Sequence, residues 1–295
     1  MSATHGAIPA SGATARAASS ARRARAIVVH ALLLSIGLLM VFPFVWTIGT
    51  SLKLPGEIFT WPPVLYPSRP QPMNYVDLFR TVPFASWLRN SVVVTVAATI
   101  GAVLSSTLTG YAFARLRYPG RDVFFTICLS TMMLPSIVTL IPSFILYRYL
   151  GWIDTFLPLI VPSWLGTPFY IFLSRQHFRT IPREYEEAAR VDGASSWRIW
   201  SALMLPMSKT LVGAIVIFSF IAHWNEFLGP LIYLNTVENQ TLALGLRGLQ
   251  NFYNTRWDFI MSGAVLMTLP MIAVFFAAQR FFIEGMSAFS GLAGR

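Results

Sequence analysis

The sequence predicts an all-α membrane protein with six transmembrane helices and a cytoplasmic helix–turn–helix loop between helices 4 and 5. Of its 295 residues, 55% are hydrophobic and only 12% are charged, a composition typical of membrane proteins. Several long stretches contain no charged side chain, and the arginines and lysines gather in alternate segments between those stretches. These observations predict both the number of spans and their orientation.

Five uncharged windows contain 20 to 27 residues each, and a helix needs about 20 residues to cross a bilayer. They are residues 26–52, 90–114, 123–147, 155–174 and 259–279. A sixth window, 210–225, is only 16 residues long, but apolar residues flank it on both sides. We interpret it as a fifth span in chain order, with Glu226 near one end.

The distribution of basic residues predicts the orientation. With the N-terminus in the cytoplasm, 15 of the 22 lysines and arginines fall in cytoplasmic segments, as the positive-inside rule requires. Both termini and the 175–209 segment are then cytoplasmic in a multi-pass membrane protein. The net charge of +10 is thereby explained without a nucleic-acid partner.

The segments between the spans divide the chain into four parts. Residues 1–25 are rich in Ala, Ser and Arg and are expected to be a disordered cytoplasmic tail. A secretory, twin-arginine or transit signal is the alternative, but the apolar window that follows is too long for a signal peptide. The first span and a proline-rich outer segment occupy residues 26–86. Residues 87–284 form a five-helix core that contains the loop 175–206, and residues 285–295 form a cytoplasmic tail.

Residues 187–206, EAARVDGASSWRIWSALMLP, are the most informative part of the chain. Pro182 suits the start of a helix, and the glutamates that follow it favour the positive end of the helix dipole. Gly193 is placed to end that helix in the left-handed conformation. Ser195 or Ser196 can then cap a second helix. The pattern predicts two short helices broken at Gly193.

The first of these helices has two distinct faces. Glu186 and Arg190 are four residues apart and are expected to pair on the exposed face. The other face carries small and polar side chains that allow close approach of another protein surface: Tyr185, Ala188, Ala189 and Asp192. An ordinary amphipathic loop is the alternative interpretation.

The chain lacks the usual signatures of catalysis. No stretch matches the phosphate-binding GxxxxGK[ST] pattern, and neither Lys53 nor Lys209, its only lysines, follows a glycine. The four histidines are scattered without metal-ligand spacing. We therefore expect no metal, no cofactor and no ATPase site of its own. A polytopic membrane enzyme or assembly factor, the competing class, receives no support from these residues.

The spacing of Glu187, Ala188, Ala189 and Gly193 resembles the docking loop of membrane subunits in binding-protein-dependent ABC importers. Further stretches resemble the carbohydrate branch, in particular the smaller, six-helix permease of the maltose type. These are GYAFARLRYPGR (110–121), MMLPSIVTLIP (132–142), HWNEFLGPLIYL (223–234) and AQRFFIEGMSAFSGLAGR (278–295).

The resemblance implies a place in the bacterial cytoplasmic (plasma) membrane, together with a set of partners and contacts. The partners are a second permease subunit, two ATPase subunits that bind the ATP, an extracytoplasmic sugar-binding protein and membrane lipid. The residues expected to dock on an ATPase subunit are Tyr185, Glu187, Ala188, Ala189, Asp192, Gly193, Leu205 and Pro206. Gly285, Met286 and Ser287 begin a tail that would reach between the ATPase subunits.

The spans also indicate the class of solute. Apart from Glu226, the only ionisable groups within them are His30 and His223, which favours a neutral solute such as a mono- or oligosaccharide over a charged one. Candidate path residues are Asn90, Ser105, Tyr111, Ser130, Asn225 and Glu226. The alternative is that such groups hold helices together, and Glu226 is equally suited to a hydrated site beside Trp224. Glycerol phosphate, the alternative solute, requires a cationic cluster that this chain lacks and a partner subunit would have to supply.

Overall fold

The computed structural model describes the backbone of residues 11–250 and 255–292, and the side chains of residues 25–250, 255–277 and 279. Within these ranges the chain is helical and contains no β-strand. The helices are α1 (Ser11–Ser51), α2 (Met73–Thr81), α3 (Phe84–Arg115), α4 (Arg121–Ser130), α5 (Ser136–Tyr149), α6 (Leu157–Trp164), α7 (Pro168–Thr180), α8 (Glu184–Val191), α9 (Ser196–Arg198), α10 (Leu205–Met207), α11 (Lys209–Trp224), α12 (Leu228–Tyr233), α13 (Leu242–Gly248) and α14 (Trp257–Leu292). A π-helical segment, Ile199–Met204, joins α9 to α10.

The described helices account for the six predicted spans. Four are long and apolar enough to cross a membrane: Arg25–Ser51, Phe84–Arg115, Leu157–Thr180 and Trp257–Ala277. Two bent helix pairs complete the set when each is counted as one span. The pair α4 and α5 bends by 101°, and the helix Ser196–Met207 bends by 83° against α11.

Proline explains the sharper bend. Pro135 immediately precedes α5, and Leu134 has the extended backbone (φ −80°, ψ 118°) that a residue before proline prefers. Because proline also lacks an N–H group, α4 cannot continue through this point as one straight helix.

The N-terminal helix begins earlier than the sequence prediction allowed. The expected disordered tail, residues 1–25, is wrong for Ser11–Arg25, whose backbone is already part of α1. This segment is dominated by alanine and arginine, which are among the strongest helix formers. Residues 1–10 lie outside the described residues.

The predicted cytoplasmic tail, residues 285–295, begins on the last helix. The backbone of α14 continues from Trp257 to Leu292, so that Gly285, Met286 and Ser287 lie on this helix beyond the candidate span Trp257–Ala277. No proline follows Pro270 in this helix, and an isolated glycine lowers helix stability without necessarily breaking the helix. The side chains of these three residues, and residues 293–295, lie outside the described part.

The central helix is α3, which packs against α6, α7 and α11. Glycines allow the close approach: a Cβ atom at Gly110 would lie 2.4 Å from the Cβ of Ser174. Small residues at such crossings are typical of packing between membrane helices. One end of α3 carries the loop 181–208, called here the loop end. The other end lies beneath segments 53–83 and 234–249, called here the far end.

A hydrophobic cluster lies at each end of the bundle. At the loop end, Tyr111 and Phe178 pack with Trp200 and Met204 of the loop's second helix. At the far end, Trp87, Trp224, Leu242 and Phe259 form the second cluster. By contrast, α5 buries none of its residues, and α1 exposes a long apolar surface and packs on α14. These outward apolar faces suit contact with lipid or with another membrane subunit.

Candidate functional site

The first helix of the loop ends as the sequence predicts. Gly193 has φ +78°, and its amide donates to the carbonyl of Arg190 at 3.0 Å. The next amide, of Ala194, reaches back to Ala189 at 2.9 Å. These bonds and the left-handed glycine form a C-terminal cap of the kind that ends many helices. The predicted break at Gly193 is confirmed.

The second helix begins at the predicted cap. The hydroxyl of Ser195 accepts a hydrogen bond from the amide of Arg198 at 3.3 Å, which satisfies one free amide of the new helix. Ile199, Trp200 and Met204 then enter the loop-end cluster. This apolar side fixes the second helix against the bundle.

The structure divides the eight predicted docking residues between two environments. Six are exposed and lie on the loop surface: Tyr185, Glu187, Ala188, Asp192, Gly193 and Pro206. Ala189 and Leu205 are instead half-buried against the loop-end cluster. These two residues support the loop, because their positions in the helices place them against the cluster that contains Trp200.

Two apolar residues of this surface were not among the docking residues predicted from the sequence. Val191 is 88% exposed and Trp197 is 61% exposed, on either side of the Gly193 turn. Large apolar groups at a projecting tip are typical of a protein–protein contact. The sequence feature that could have indicated this contact is Val191, two residues before Gly193, at a position where an isolated solvated loop would favour a polar residue.

Glu186 is buried, whereas the sequence predicted that it would lie on an exposed face. It pairs with Arg190 at 2.7 Å, as expected, but is only 6% exposed. Its carboxylate also accepts a hydrogen bond from the hydroxyl of Tyr111 at 3.2 Å, and lies 3.8 Å from Nε of Arg115. The hydrogen bond to Glu186 raises the pKa of the Arg190 guanidinium. The face predicted to be solvated is thus the face that anchors α8 to α3.

Three of the predicted path residues form hydrogen bonds between elements of the bundle. Tyr111 binds Glu186, and Asn90 donates to the carbonyls of Glu238 and Gln240 at 2.7 and 3.0 Å. Ser105 donates to the carbonyl of Ser163 at 3.0 Å and so links α3 to α6. These contacts favour the alternative that such groups bind membrane helices to one another, and the role of these three residues in a path stays a prediction.

The other three predicted path residues are exposed. Ser130 lies beside the α4–α5 bend and bonds only within its helix, to Thr126. Asn225 and Glu226 occupy the break between α11 and α12. Glu226 accepts a hydrogen bond from the amide of Gly229 at 2.9 Å, and no ion-pair partner faces it among the residues that the structure describes. These groups remain available to a solute or a neighbouring subunit.

Asp154 organises the far end, which the sequence did not predict. It sits in the turn between α5 and α6 with φ +61°. Its carboxylate accepts hydrogen bonds from the amides of Asn235 and Thr236 at 2.9 and 3.0 Å and from the Thr236 hydroxyl. These bonds lower the pKa of Asp154 to about 2, with the Thr236 hydroxyl the largest cause.

Hydrogen bonds to α3 also hold the segment that contains Asn235 and Thr236. The indole of Trp87 donates to the carbonyl of Val237 at 2.8 Å, and the hydroxyl of Ser91 accepts from the amide of Leu242 at 2.7 Å. The stretch 234–242 is therefore a fixed platform. In the described residues, no three His, Cys, Asp or Glu side chains come together as a metal ion requires.

Comparison with known proteins assigns the family. The model for "Binding-protein-dependent transport system inner membrane component" matches residues 106–288. The chain is 32% identical over 270 residues, 90% of this chain and 96% of the relative, to the lactose transport system permease protein LacG of Rhizobium radiobacter. It is 34% identical over 265 residues, 86% of this chain and 94% of the relative, to the sn-glycerol-3-phosphate transport system permease protein UgpE of Rhizobium meliloti strain 1021.

A solved structure has the same fold. It is a chain from the crystal structure of a bacterial ABC transporter involved in the import of the acidic polysaccharide alginate. The TM-score is 0.77 at 24% identity, over 89% of this chain and 98% of that chain. With its family model and its full-length relatives, the chain belongs to the inner membrane components of binding-protein-dependent transport systems, the permease subunits of ABC importers.

Proposed function

We propose that this chain is the smaller of two permease subunits in an importer that moves a neutral sugar across the cytoplasmic membrane. Relatives at similar identity are named for lactose and for sn-glycerol-3-phosphate, so that family membership alone supports a sugar or a related solute. The residues that a solute can reach favour the neutral class.

The exposed break between α11 and α12 carries this inference. Asn225 and Glu226 offer an amide and a carboxylate there, and Glu226 has no cationic partner among the described residues. The six uncharged windows contain no lysine or arginine. Hydroxyl groups of a sugar can donate to a carboxylate, whereas a phosphate would be repelled by it in the weakly screening surroundings of a membrane span.

The two ends of the bundle support the proposed partners and orientation. The loop end faces the cytoplasm, where the exposed loop residues dock on an ATPase subunit. Val191 and Trp197 add apolar area to that contact. The far-end segment, 229–257, faces the sugar-loaded binding protein. The ATP is bound and hydrolysed by the two ATPase subunits, and Gly285, Met286 and Ser287 approach them from the end of α14.

The import of glycerol phosphate is the second candidate, supported by the relatives named for that solute. It requires that the second permease subunit supply the cationic side chains. The two candidates therefore differ in where the charge in the path resides, and Glu226 distinguishes them.

Solute uptake by the reconstituted importer tests the proposal. The complex with its second permease, ATPase subunits and cognate binding protein is placed in liposomes, and uptake of a labelled sugar panel and of sn-glycerol-3-phosphate is measured. We expect uptake of a sugar, unaffected by excess glycerol phosphate. Glu226→Lys should reduce sugar uptake more than the neutral Glu226→Gln. Uptake of glycerol phosphate that increases with Glu226→Lys would replace the sugar proposal with the phosphate one.

A further inference from the structure

We propose that Glu186 is a positioning residue that transmits movement of the docking loop to the membrane helices. The inference rests on the proposed function, since it assigns how force from an ATPase subunit reaches the path. The juxtaposition that carries it is a buried carboxylate on α8, facing groups from α3 and from α8 itself.

The carboxylate of Glu186 has three partners and almost no contact with solvent. Arg190 donates to it at 2.7 Å and Tyr111 at 3.2 Å, while Nε of Arg115 lies 3.8 Å away. The side chains of Arg115 and Glu186 are only 4% and 8% exposed. A surface ion pair contributes little to stability, but separating a buried pair leaves an uncompensated charge and is strongly unfavourable.

Arg115 extends the connection to a third helix. Its guanidinium donates to the carbonyl of Phe178 at 2.5 Å, and to that of Ile181, just beyond the end of α7. Tyr111 packs edge-on against Phe178 with ring centroids 6.1 Å apart. Glu186 and Arg115 therefore connect the start of α8 with the ends of α3 and α7.

This arrangement restricts how α8 can move. If α8 swung away from α3, Arg115 would lose its only carboxylate among the described residues, and Nε already lacks any hydrogen-bond partner there. A rigid connection of this kind carries α8 and α3 together, as a domain movement requires. Without it, the loop can follow the ATPase subunit while the spans stay behind.

Two adjacent glutamates thus have different tasks. Glu187 is exposed and belongs to the surface that docks, whereas Glu186 is buried and faces the bundle. Loss of docking and loss of transmission give different results: the first releases the ATPase subunits, and the second leaves them bound and hydrolysing ATP.

The experiment compares isosteric glutamine variants in the complete reconstituted importer. Glu186→Gln is tested against Glu184→Gln, an exposed control on the same helix, and against Glu187→Lys as the docking variant. Three quantities are measured: ATPase subunits that co-purify, ATP hydrolysis stimulated by the loaded binding protein, and sugar taken up per ATP hydrolysed. Tyr111→Phe, which removes one hydroxyl and keeps the ring packing, is a milder test of the same carboxylate.

We expect Glu186→Gln to retain its ATPase subunits and stimulated hydrolysis while uptake per ATP falls by roughly 2- to 30-fold, the range for residues that couple two sites without touching either ligand. Tyr111→Phe should show the same change to a smaller degree, and Glu184→Gln none. Unchanged uptake per ATP in Glu186→Gln would overturn the proposal. If that variant does not assemble, unchanged uptake per ATP in Tyr111→Phe would overturn it equally. Normal docking and transport in Glu187→Lys would instead contradict the proposed docking surface.

Discussion

Gly193 is the residue at which local sequence and backbone geometry agree most closely. Its φ of +78° strains any side chain with a Cβ atom, although a Cβ there would meet nothing within 4 Å. The cost is therefore backbone strain of about 1–2 kcal/mol, which asparagine bears better than other residues. We expect sugar uptake at matched membrane abundance to fall most for Gly193→Val, less for Gly193→Ala and least for Gly193→Asn.

The absence of a clash within the chain sharpens this test. Gly56 is the control, because a Cβ there also meets nothing within 4 Å and its φ is not in the left-handed range. Gly56→Ala should leave uptake unchanged. Equal activity of the valine and asparagine variants at position 193 would contradict the left-handed turn as the feature that docking requires.

Sequence reasoning succeeded at residues whose role is local and failed where the partner is distant. The amide of Gly193 donates to the carbonyl of Arg190, and the hydroxyl of Ser195 accepts from the amide of Arg198. Both partners are three residues away, so that the pattern is readable along the chain. Asn90 binds carbonyls about 150 residues away, and Tyr111 binds Glu186, 75 residues away. A polar residue in an apolar span predicts only that a partner exists, because hydrocarbon leaves such a group no water to bind.

At the scale of elements, Asp154 fastens the α5–α6 turn to the platform 234–242. Asp154→Ala removes the acceptor for the amides of Asn235 and Thr236, and we expect faster hydrogen exchange in the peptide that contains them. Glu238→Ala is the matched control, because this exposed acid lies in the same platform and interacts through its backbone carbonyl. Equal exchange in both variants would show that α3 alone holds the platform.

The charge of Asp154 sets a pH dependence for this fastening. The pKa of Asp154 is lowered from 3.8 to about 2 in the folded protein. The stabilisation from its carboxylate is therefore fully present at pH values above the pKa of the unfolded state, and it is lost as the pH falls through the pKa of the folded state. Protection of the platform amides, corrected for intrinsic exchange, should therefore be equal at pH 7 and pH 5. A decrease in protection between these values would mean that another group controls the platform.

Element boundaries were predictable where a chemical signal marks them. Pro135 produces the bend between α4 and α5, as proline in a span commonly does. The sequence did not predict the N-terminal extension of α1, because a basic, alanine-rich composition is compatible with both a disordered tail and a helix. In the structure this segment continues the helix of the apolar span that follows it. The bundle also places Ala189 and Leu205 inside, since the loop's orientation depends on packing against Trp200 that local spacing does not define.

At the scale of the whole molecule, charge and architecture point to the same orientation. The loop end carries Arg115, Arg117, Arg183 and Arg190 around a cavity of about 580 Å³, whereas the far end presents the Asp154 platform. Residues 90 and 115 of α3 contact the two ends, and 25 residues of helix span about 37 Å, enough to cross a hydrocarbon core of about 30 Å. The two ends therefore lie on opposite sides of the membrane.

The orientation is tested by labelling single cysteines from one side. In a Cys128→Ser background, we expect Glu238→Cys on the far end to react with a membrane-impermeant maleimide added to intact cells. Tyr118→Cys, at a position that is 36% exposed on the loop end, should react only after permeabilisation, since the positive-inside rule retains the arginine-rich end in the cytoplasm. Labelling of Tyr118→Cys in intact cells would reverse the orientation. The exposed loop would then face away from any cytoplasmic ATPase, and both the docking surface and the role of Glu186 would fall with it.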